Sequence, residues 1–429
     1  VKRCCTSRRC AALALFAAYT AFGHLLDGFL WHRALSPAEV VDHFVFTNYG
    51  VFGAPMTVAA TYVYVFVILG TALERSGGGD FLFGVARAVA GRAIGGPAKV
   101  AVVSSAMYGS ISGSPTSNVM TTGLFTIPMM IRSGVRPEVA AGIEAVAATG
   151  GALLPPVMGS AAFLMAEFTG ISYFDICMAA VTPGLLFYFS LFMQVHFAAA
   201  RTHGAGPPVE HPGIRALVGR AYHLVPLLAL IGLLAAGWSA IQAAGLAILL
   251  AVATSWAADS TRVGWRDLLR ILDVSAHRSL VVTAACGAAG VVVGAIVTTG
   301  LGGKVTGLIF ASASGSLLLA LVATMGVCTL LGMGVPVPSA YVITAVLAGP
   351  PLASLGIDTL TSHLFVLYYA SLSAITPPVA VAAFAAASIA GVNPTRVGLQ
   401  ACRLGLVAFI LPFFFVYRPE LLLIGSPMA

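Results

Sequence analysis

Long apolar runs alternate with short Gly-, Ser- and Pro-rich interruptions along the chain, and this alternation predicts helices that cross a bilayer. Runs of the required length, about 20 residues, lie around 51–73, 174–200, 279–299 and 399–417. Strand-like alternation of apolar and polar positions is absent, so the pattern is not that of a barrel. The interruptions are as informative as the runs. Gly151 to Ile171 reads GALLPPVMGSAAFLMAEFTGI and Ser373 to Val392 reads SAITPPVAVAAFAAASIAGV, each with a Pro-Pro pair inside an Ala-rich stretch. Proline lacks an amide proton and clashes with the preceding turn, so Pro155-Pro156 and Pro377-Pro378 must break the helices that carry them.

The breaks recur at one spacing. The step along the chain from the first Pro pair to the second is nearly matched by the step between the segments upstream of them, Gly109 to Gly123 (GSISGSPTSNVMTTG) and Leu331 to Ile343 (LGMGVPVPSAYVI). Further upstream, Glu74 to Gly84 faces Val297 to Gly307 at nearly the same step. Three ordered matches predict two structural repeats, 51–200 and 277–417, joined by a central segment 201–276, with 1–50 ahead of them and a tail at 418–429. Apolar arms flank each Gly/Ser/Pro segment and are short for a full crossing. They read as re-entrant hairpins over 97–132 and 316–348. The expected fold is thus an all-α polytopic membrane protein.

Composition agrees: 59% of the 429 residues are hydrophobic, 9% are charged, and the mean hydropathy is +0.96. The net charge of +7 is a topology signal in such a chain rather than a nucleic-acid footprint. Residues 222–257 are too long for one crossing and fit two short ones around Gly237-Trp238. Their flanks, with Arg201, Arg215 and Arg220 on one side and Arg262, Arg266, Arg270 and Arg278 on the other, then share the cytoplasmic side. In the first repeat Arg75, Arg87, Arg92, Lys99, Arg132 and Arg136 fall in cytoplasmic connections, whereas 305–395 holds no Lys or Arg. Equivalent connections therefore face opposite sides, as inverted repeats require. Lys2, Arg3, Arg8 and Arg9 place the N-terminus inside, ahead of a helix near 11–30. The seven cysteines (Cys4, Cys5, Cys10, Cys177, Cys286, Cys328 and Cys402) have no metal or disulfide spacing. The chain opens on Val with no cleavable signal, which reads as an incomplete N-terminus.

Four segments, SISGSPTSNVMTTG, GGALLPPVMGSAAFLMAEFTGI, GMGVPVPSAYV and SAITPPVA, together resemble the large membrane subunit of tripartite ATP-independent periplasmic (TRAP) transporters, over about residues 20–417. Phe22 to Gly53 resembles the junction of the fused type that serves TAXI-class binding proteins, with residues 1–50 the remnant of its small-subunit region. The resemblance implies a sodium-driven elevator importer of the bacterial inner membrane. It would need no cofactor beyond the coupling ion and would receive an organic acid from a periplasmic solute-binding protein. Pro115 and Pro338 depart from the family pattern at the hairpin tips.

Hairpin tips and broken helices expose unsatisfied backbone groups, which membrane proteins tolerate only at buried or water-lined sites. The candidate site residues follow from that rule. They are Ser112, Gly113, Ser114, Thr116, Ser117 and Asn118 at the first tip, and Gly332, Gly334, Pro336 and Ser339 at the second. In the breaks they are Thr149, Gly150, Pro155 and Pro156, and Thr376, Pro377 and Pro378. Sodium ligands are sought among Ser114, Asn118, Gly334 and Thr376. The competing role for the Ser and Asn side chains is capping of local backbone groups. Glu144 and Glu167 stand in apolar helices; structure is favoured over a proton relay, with Glu144 pairing a cytoplasmic Arg and Glu167 at the outer interface. His24, His43, His196 and His363 read as isolated interfacial anchors, and Phe413, Phe414, Phe415 and Tyr417 as a lipid-facing belt. No P-loop, GxSxG or HExxH occurs, so neither a nucleotide motor nor a membrane enzyme is favoured. A binding-protein-independent sodium/carboxylate symporter stays open as the alternative, because the same hairpins suit it.

Overall fold

The computed structural model describes residues 14–47, 49–201, 213–259, 261–313 and 316–424. Lys2, Arg3, Arg8, Arg9, Cys4, Cys5 and Cys10 lie outside the described residues, as does the end of the tail. Secondary structure is helical throughout the described residues. Helix α1 is described over Ala14–Leu25, and short helical segments lead from it to α2 (Ala54–Arg75). The first half continues with α3 (Gly78–Ala90), α4 (Gly96–Ser112), α5 (Pro115–Arg132), α6 (Pro137–Gly151), α7 (Ser160–Thr169) and α8 (Tyr173–Arg201). Two helices, α9 (Val225–Ala235) and α10 (Ala240–Thr254), form the central segment, with Gly237 in the left-handed region between them.

The second half repeats the first in order. It comprises α11 (Trp265–Thr299), α12 (Leu301–Ala313), α13 (Leu317–Gly332), α14 (Val337–Ser354), α15 (Thr359–Leu372), α16 (Val381–Ala390), α17 (Pro394–Leu404) and α18 (Leu406–Tyr417). Starts of equivalent helices keep the sequence offset: Pro115 to Val337, and Pro137 to Thr359, are each the same step along the chain as Pro155 to Pro377. Helix α14 runs to Ser354, beyond the expected arm end at 348, with Pro350 and Pro351 inside its last turns. The final pair, α17 and α18, bends by 42° at Gly405.

Local chemistry sets these boundaries. Asp358 Oδ2 accepts from Leu360 N and Thr361 N at the start of α15, and Asn393 Oδ1 does the same for Thr395 N and Arg396 N at the start of α17. The Pro-broken helices are the buried axis of the molecule. Every residue from Ala140 to Gly151 on α6 is buried, and α15 is buried almost as completely. Their Ala, Gly and Ser positions let neighbouring backbones approach. Packing then crosses between the halves: α16 lies on α5 and α6, while α7 lies on α14 and α15. Phe168 of α7 stacks on Tyr341 of α14 with centroids 6.3 Å apart.

A second body flanks this axis. Helix α2 packs against α10 and α11, and ion pairs tie its last turn to the start of α11. Arg75 donates to Asp267 Oδ1 at 2.5 and 3.0 Å, and Arg278 Nη1 donates to Glu74 Oε2 at 2.7 Å. At the opposite end, Gly290 of α11 meets the turn before α2, where a Cβ would stand 2.3 Å from the Gly50 carbonyl oxygen. The two helices that open the two halves therefore run antiparallel. Several charged assignments change with the structure. Lys99 lies within α4, buried, with Nζ donating to His196 Nδ1 at 2.9 Å and stacked 4.7 Å from the Phe192 ring. His363 is likewise bonded, to the Tyr341 hydroxyl at 2.6 Å, so neither His196 nor His363 is isolated. In the aromatic run only Phe414 and Tyr417 are exposed; Phe415 is buried against Tyr368, and Phe413 packs on Phe365 and Tyr369.

The Gly290 contact leaves no room for a side chain. Gly290→Val is expected to force α11 away from the Gly50 turn and to destabilise the fold by about 2 kcal/mol, the scale of overpacking. A melting curve in detergent checks this, and an unshifted midpoint would show that the turn moves freely.

Candidate transport site

The first hairpin tip is built by three consecutive residues with different duties. Ser112 closes α4, Gly113 turns the chain in the left-handed region (φ 60°), and Ser114 caps α5, its Oγ accepting from Ser117 N at 3.4 Å. Pro115 then occupies the first turn of α5, where its fixed φ suits the helix and its missing amide costs nothing. The capping role thus holds for Ser114. Thr116 is exposed, and Ser117 is half-buried with its carbonyl accepting from Thr121 Oγ1.

The tip rests on the first break. Residues 152–159 are non-helical, a longer interruption than the Pro pair alone, and carry a cis Pro155-Pro156 bond. A Cβ on Gly113 would stand 2.1 Å from Gly159 Cα, and one on Gly151 would stand 2.4 Å from Gly109 Cα. Two glycine pairs therefore bring backbone onto backbone. Val157 N donates to Ser110 O at 3.0 Å across that contact, and the Tyr173 hydroxyl of α8 donates to Val157 O at 2.6 Å and Pro156 O at 2.9 Å. Gly109, Gly151, Gly159 and Tyr173 were not among the expected site residues; their only sequence signal is a glycine beside a Ser or Pro break.

The second tip repeats the arrangement with other side chains. Gly332 ends α13, Gly334 turns in the left-handed region (φ 78°), and Pro336 is the capping position of α14. A Cβ on Gly332 would meet Ser373 Oγ at 2.6 Å, and one on Gly334 would meet Val379 at 2.9 Å, so this tip rests on the break at 373–380. That break carries the cis Pro377-Pro378 bond and is pinned by Ala382 N donating to Ala374 O at 2.9 Å. The structure thus groups the candidates as two tip-on-break sets, one per half.

Oxygen atoms with spare capacity collect there. Ser112 Oγ at the first tip and Ser339 Oγ at the second are buried without a hydrogen-bond partner, as is Ser371 Oγ beside the second break. Buried orphan hydroxyls call for an explanation, and cation or substrate ligation supplies one. Thr149 and Thr376 each give their proton to the carbonyl four residues back, Ala145 O and Leu372 O, both at 2.8 Å. The Gly150 position is closed by Phe187, which a Cβ would meet at 2.2 Å. Asn118 is fully buried between the hairpin arms: Nδ2 donates to Ser105 O at 3.0 Å, and Oδ1 lies 3.1 Å from Thr122 Oγ1.

The expected pairing of Glu144 with a cytoplasmic arginine is not what forms. Glu144 is fully buried in mid-helix, and its carboxylate takes hydroxyl groups instead: Ser105 at 2.7 Å and Thr122 at 2.5 Å on Oε1, and Thr126 at 2.7 Å on Oε2. Its place among the small residues of α6 keeps it inside the helix cluster, away from the arginine-bearing ends. Glu167 is exposed, as an interfacial residue should be.

Paired hairpins lodged on broken helices define the class, an all-helical polytopic membrane protein. The chain belongs to the DctM family, described as the tripartite ATP-independent periplasmic transporter DctM component, which it matches over residues 4–428. It is 29% identical over 170 residues to the C4-dicarboxylate TRAP transporter large permease protein DctM of Vibrio cholerae, covering 40% of this chain and 36% of that protein. It is also 22% identical to the uncharacterized protein YgiK of Salmonella typhimurium, over 84% of this chain and 82% of YgiK. Its fold is similar to that of the Alcanivorax borkumensis YdaH transporter, whose crystal structure superposes with a TM-score of 0.57 at 17% identity, covering 96% of this chain and 97% of that one. The chain thus spans about a third of the length of the Vibrio relative.

The glycine contacts give a direct test. Gly159 has φ 101°, and a Cβ there would stand 2.5 Å from Gly113 O. Gly159→Ala is expected to cost about 1–3 kcal/mol of backbone strain and to unseat the tip, with flux lost in reconstituted vesicles. Wild-type flux would mean that the tip contact plays no part in transport.

Proposed function

We propose that this chain is the permease subunit of a secondary active, sodium-coupled importer that takes an organic acid from a periplasmic solute-binding protein. The observation that carries the reading is the pair of tip-on-break contacts, because each collects buried oxygens without partners, Ser112 at one tip and Ser339 at the other. A hard cation such as sodium is held by such oxygen ligands, and helix starts at the tips favour an anionic substrate group. The carboxylate class is drawn from the relatives named C4-dicarboxylate permeases in Vibrio cholerae and Pseudomonas aeruginosa. The elevator motion is drawn from the family resemblance, with the cross-packed hairpins and broken helices as the moving part. The inverted topology is supported by the antiparallel run of α2 and α11.

Uptake in proteoliposomes, with the cognate binding protein and separate sodium and proton gradients, tests the energy source. An inward sodium gradient should drive accumulation of a dicarboxylate, and accumulation without sodium or without a binding protein would sink the respective half of the reading. Asn118→Ala is expected to insert normally, transport poorly and need about tenfold more sodium, the effect of losing about 1.4 kcal/mol of ligation. For topology, Ser133→Cys should be labelled only from the cytoplasm and Ser354→Cys only from the periplasm, in a background without native cysteines. Both labelled from one side would end the inverted arrangement.

A further inference from the structure

The carboxylate of Glu144 sits in a hydrogen-bond network that can be satisfied in two ways, and the two ways differ at Asn118. With Glu144 ionised, Ser105, Thr122 and Thr126 all donate to it, and Asn118 Oδ1 receives no proton. With Glu144 protonated, its new O–H donates from Oε1 to Thr122 Oγ1, and the Thr122 hydroxyl proton must turn elsewhere. Acceptors are waiting: Asn118 O stands 2.9 Å away and Asn118 Oδ1 3.1 Å away. Thr126 and Ser105 keep their bonds in both states, and the ionised form leaves the buried Asn118 Oδ1 without a donor, open to a cation.

We infer that Glu144 is a proton site coupled through Thr122 to the cation site of the first hairpin, so that protonation of Glu144 and sodium binding at Asn118 oppose each other. The proton comes from and returns to solvent, and no covalent bond changes. A hydroxyl proton aimed at Asn118 Oδ1 puts positive charge on the oxygen that a cation needs, whereas the ionised network frees that oxygen and adds a negative charge one helical turn away. The inference rests on the sodium-coupled reading given above.

Nothing else near Glu144 takes over this role. Among the described residues no cation lies within ion-pair distance of it. Of the elements packed on α6, α16 carries no ionisable group, and α4 and α5 carry Lys99, Tyr108 and Arg132, away from the Ser105 to Thr126 ladder. Helix α17 carries Arg396, Cys402 and Arg403, with the Cys402 thiol donating to Ile375 O. Helix α15 brings His363, Tyr368 and Tyr369: His363 is bonded to Tyr341, Tyr369 to Phe409 O, and the Tyr368 hydroxyl is buried without a hydrogen-bond partner. From α8 comes Tyr188, whose hydroxyl is committed to Ala147 O at 2.6 Å. Glu144 is thus the group in this cluster that is bonded to Thr122 and, through it, set beside Asn118.

The test uses the purified full chain in detergent and needs no substrate. Sodium binding is read from thermal stabilisation, with lithium, potassium and choline as controls, and proton release from a pH-sensitive dye in weakly buffered solution. In the wild type, sodium should release protons, and its apparent affinity should fall by up to about tenfold per pH unit on acidification, the limit for one competing proton. Glu144→Gln, which keeps the shape of the acid form, should release none and show a flat pH profile with weakened sodium binding. Thr122→Val leaves the carboxyl in place but removes the relay, and should flatten the profile in the same way; it carries the test if the glutamine variant does not fold. A carboxylate that merely clamps the hairpin arms would change stability in both variants but leave the wild-type slope intact. Sodium stabilisation without proton release, or a wild-type slope in either variant, overturns the inference alone. Absence of any sodium response overturns the sodium reading and this inference with it.

Discussion

Backbone that has left its helix cannot face lipid, because nothing there bonds a free amide or carbonyl. Residues 152–159 and 373–380 are such backbone, set in the two most buried helices of the molecule. The arrangement around them follows from the need to cover these groups with protein. A hairpin tip is the right cover for a helix break, since both present irregular backbone of similar breadth. Glycine is what lets them meet: at Gly113 and Gly159 the chains approach closely enough for Val157 N to reach Ser110 O. Tyr173 completes the seal from α8 by donating to two carbonyls of the break.

Once each break is covered by its own tip, the two halves still have to be joined, and the joining is reciprocal. The segment after the second break, α16, packs on the arms before the first, and the segment after the first break, α7, packs on the arms before the second. Neither half can shift along its axis without carrying the other. The ion pairs of Arg75 with Asp267 and of Arg278 with Glu74 belong to a different body and tie α2 to α11. The α2–α11 pair is also packed on this cluster: α11 lies on α14, and Tyr62 and Phe66 of α2 meet Phe163 of α7.

The sequence made the interruptions legible because they violate local rules: the Pro155-Pro156 and Pro377-Pro378 pairs and the Gly/Ser/Pro runs at 109–123 and 331–343 fall at breaks and tips, whereas Pro350-Pro351 lies inside α14. It was much less informative about partners. The Gly109–Gly151 and Gly113–Gly159 contacts join positions on different helices, far apart along the chain, and a glycine in a Gly-rich chain gives no hint of which other glycine it meets. Lys99 was read as a loop residue because a lysine in an apolar stretch looks like its end; burial against Phe192 and His196 resolves that differently. The run from Phe413 to Tyr417 divides between lipid and protein because successive helix positions point about 100° apart, which composition ignores. Glu144 was assigned to an arginine because both charges were visible in sequence, whereas the three hydroxyls that bind it come from two other helices.

Those hydroxyls also break the symmetry that the spacing suggests. Applied to Ser105, Asn118, Thr126 and Glu144, the step that carries Pro155 to Pro377 arrives at Val327, Ala340, Ala348 and Val366, all apolar. Thr122 alone has a matching threonine, Thr344, and its hydroxyl donates to Ala340 O and Tyr341 O, within its own helix. The two halves therefore share a backbone but not a charge: one hairpin is backed by a carboxylate that reaches its tip through a hydroxyl, while the other is backed by packed apolar side chains. A twofold scaffold of this kind can carry two hairpins of different chemistry, because the backbone is shared while the side chains of one half alone supply the carboxylate and its hydroxyls.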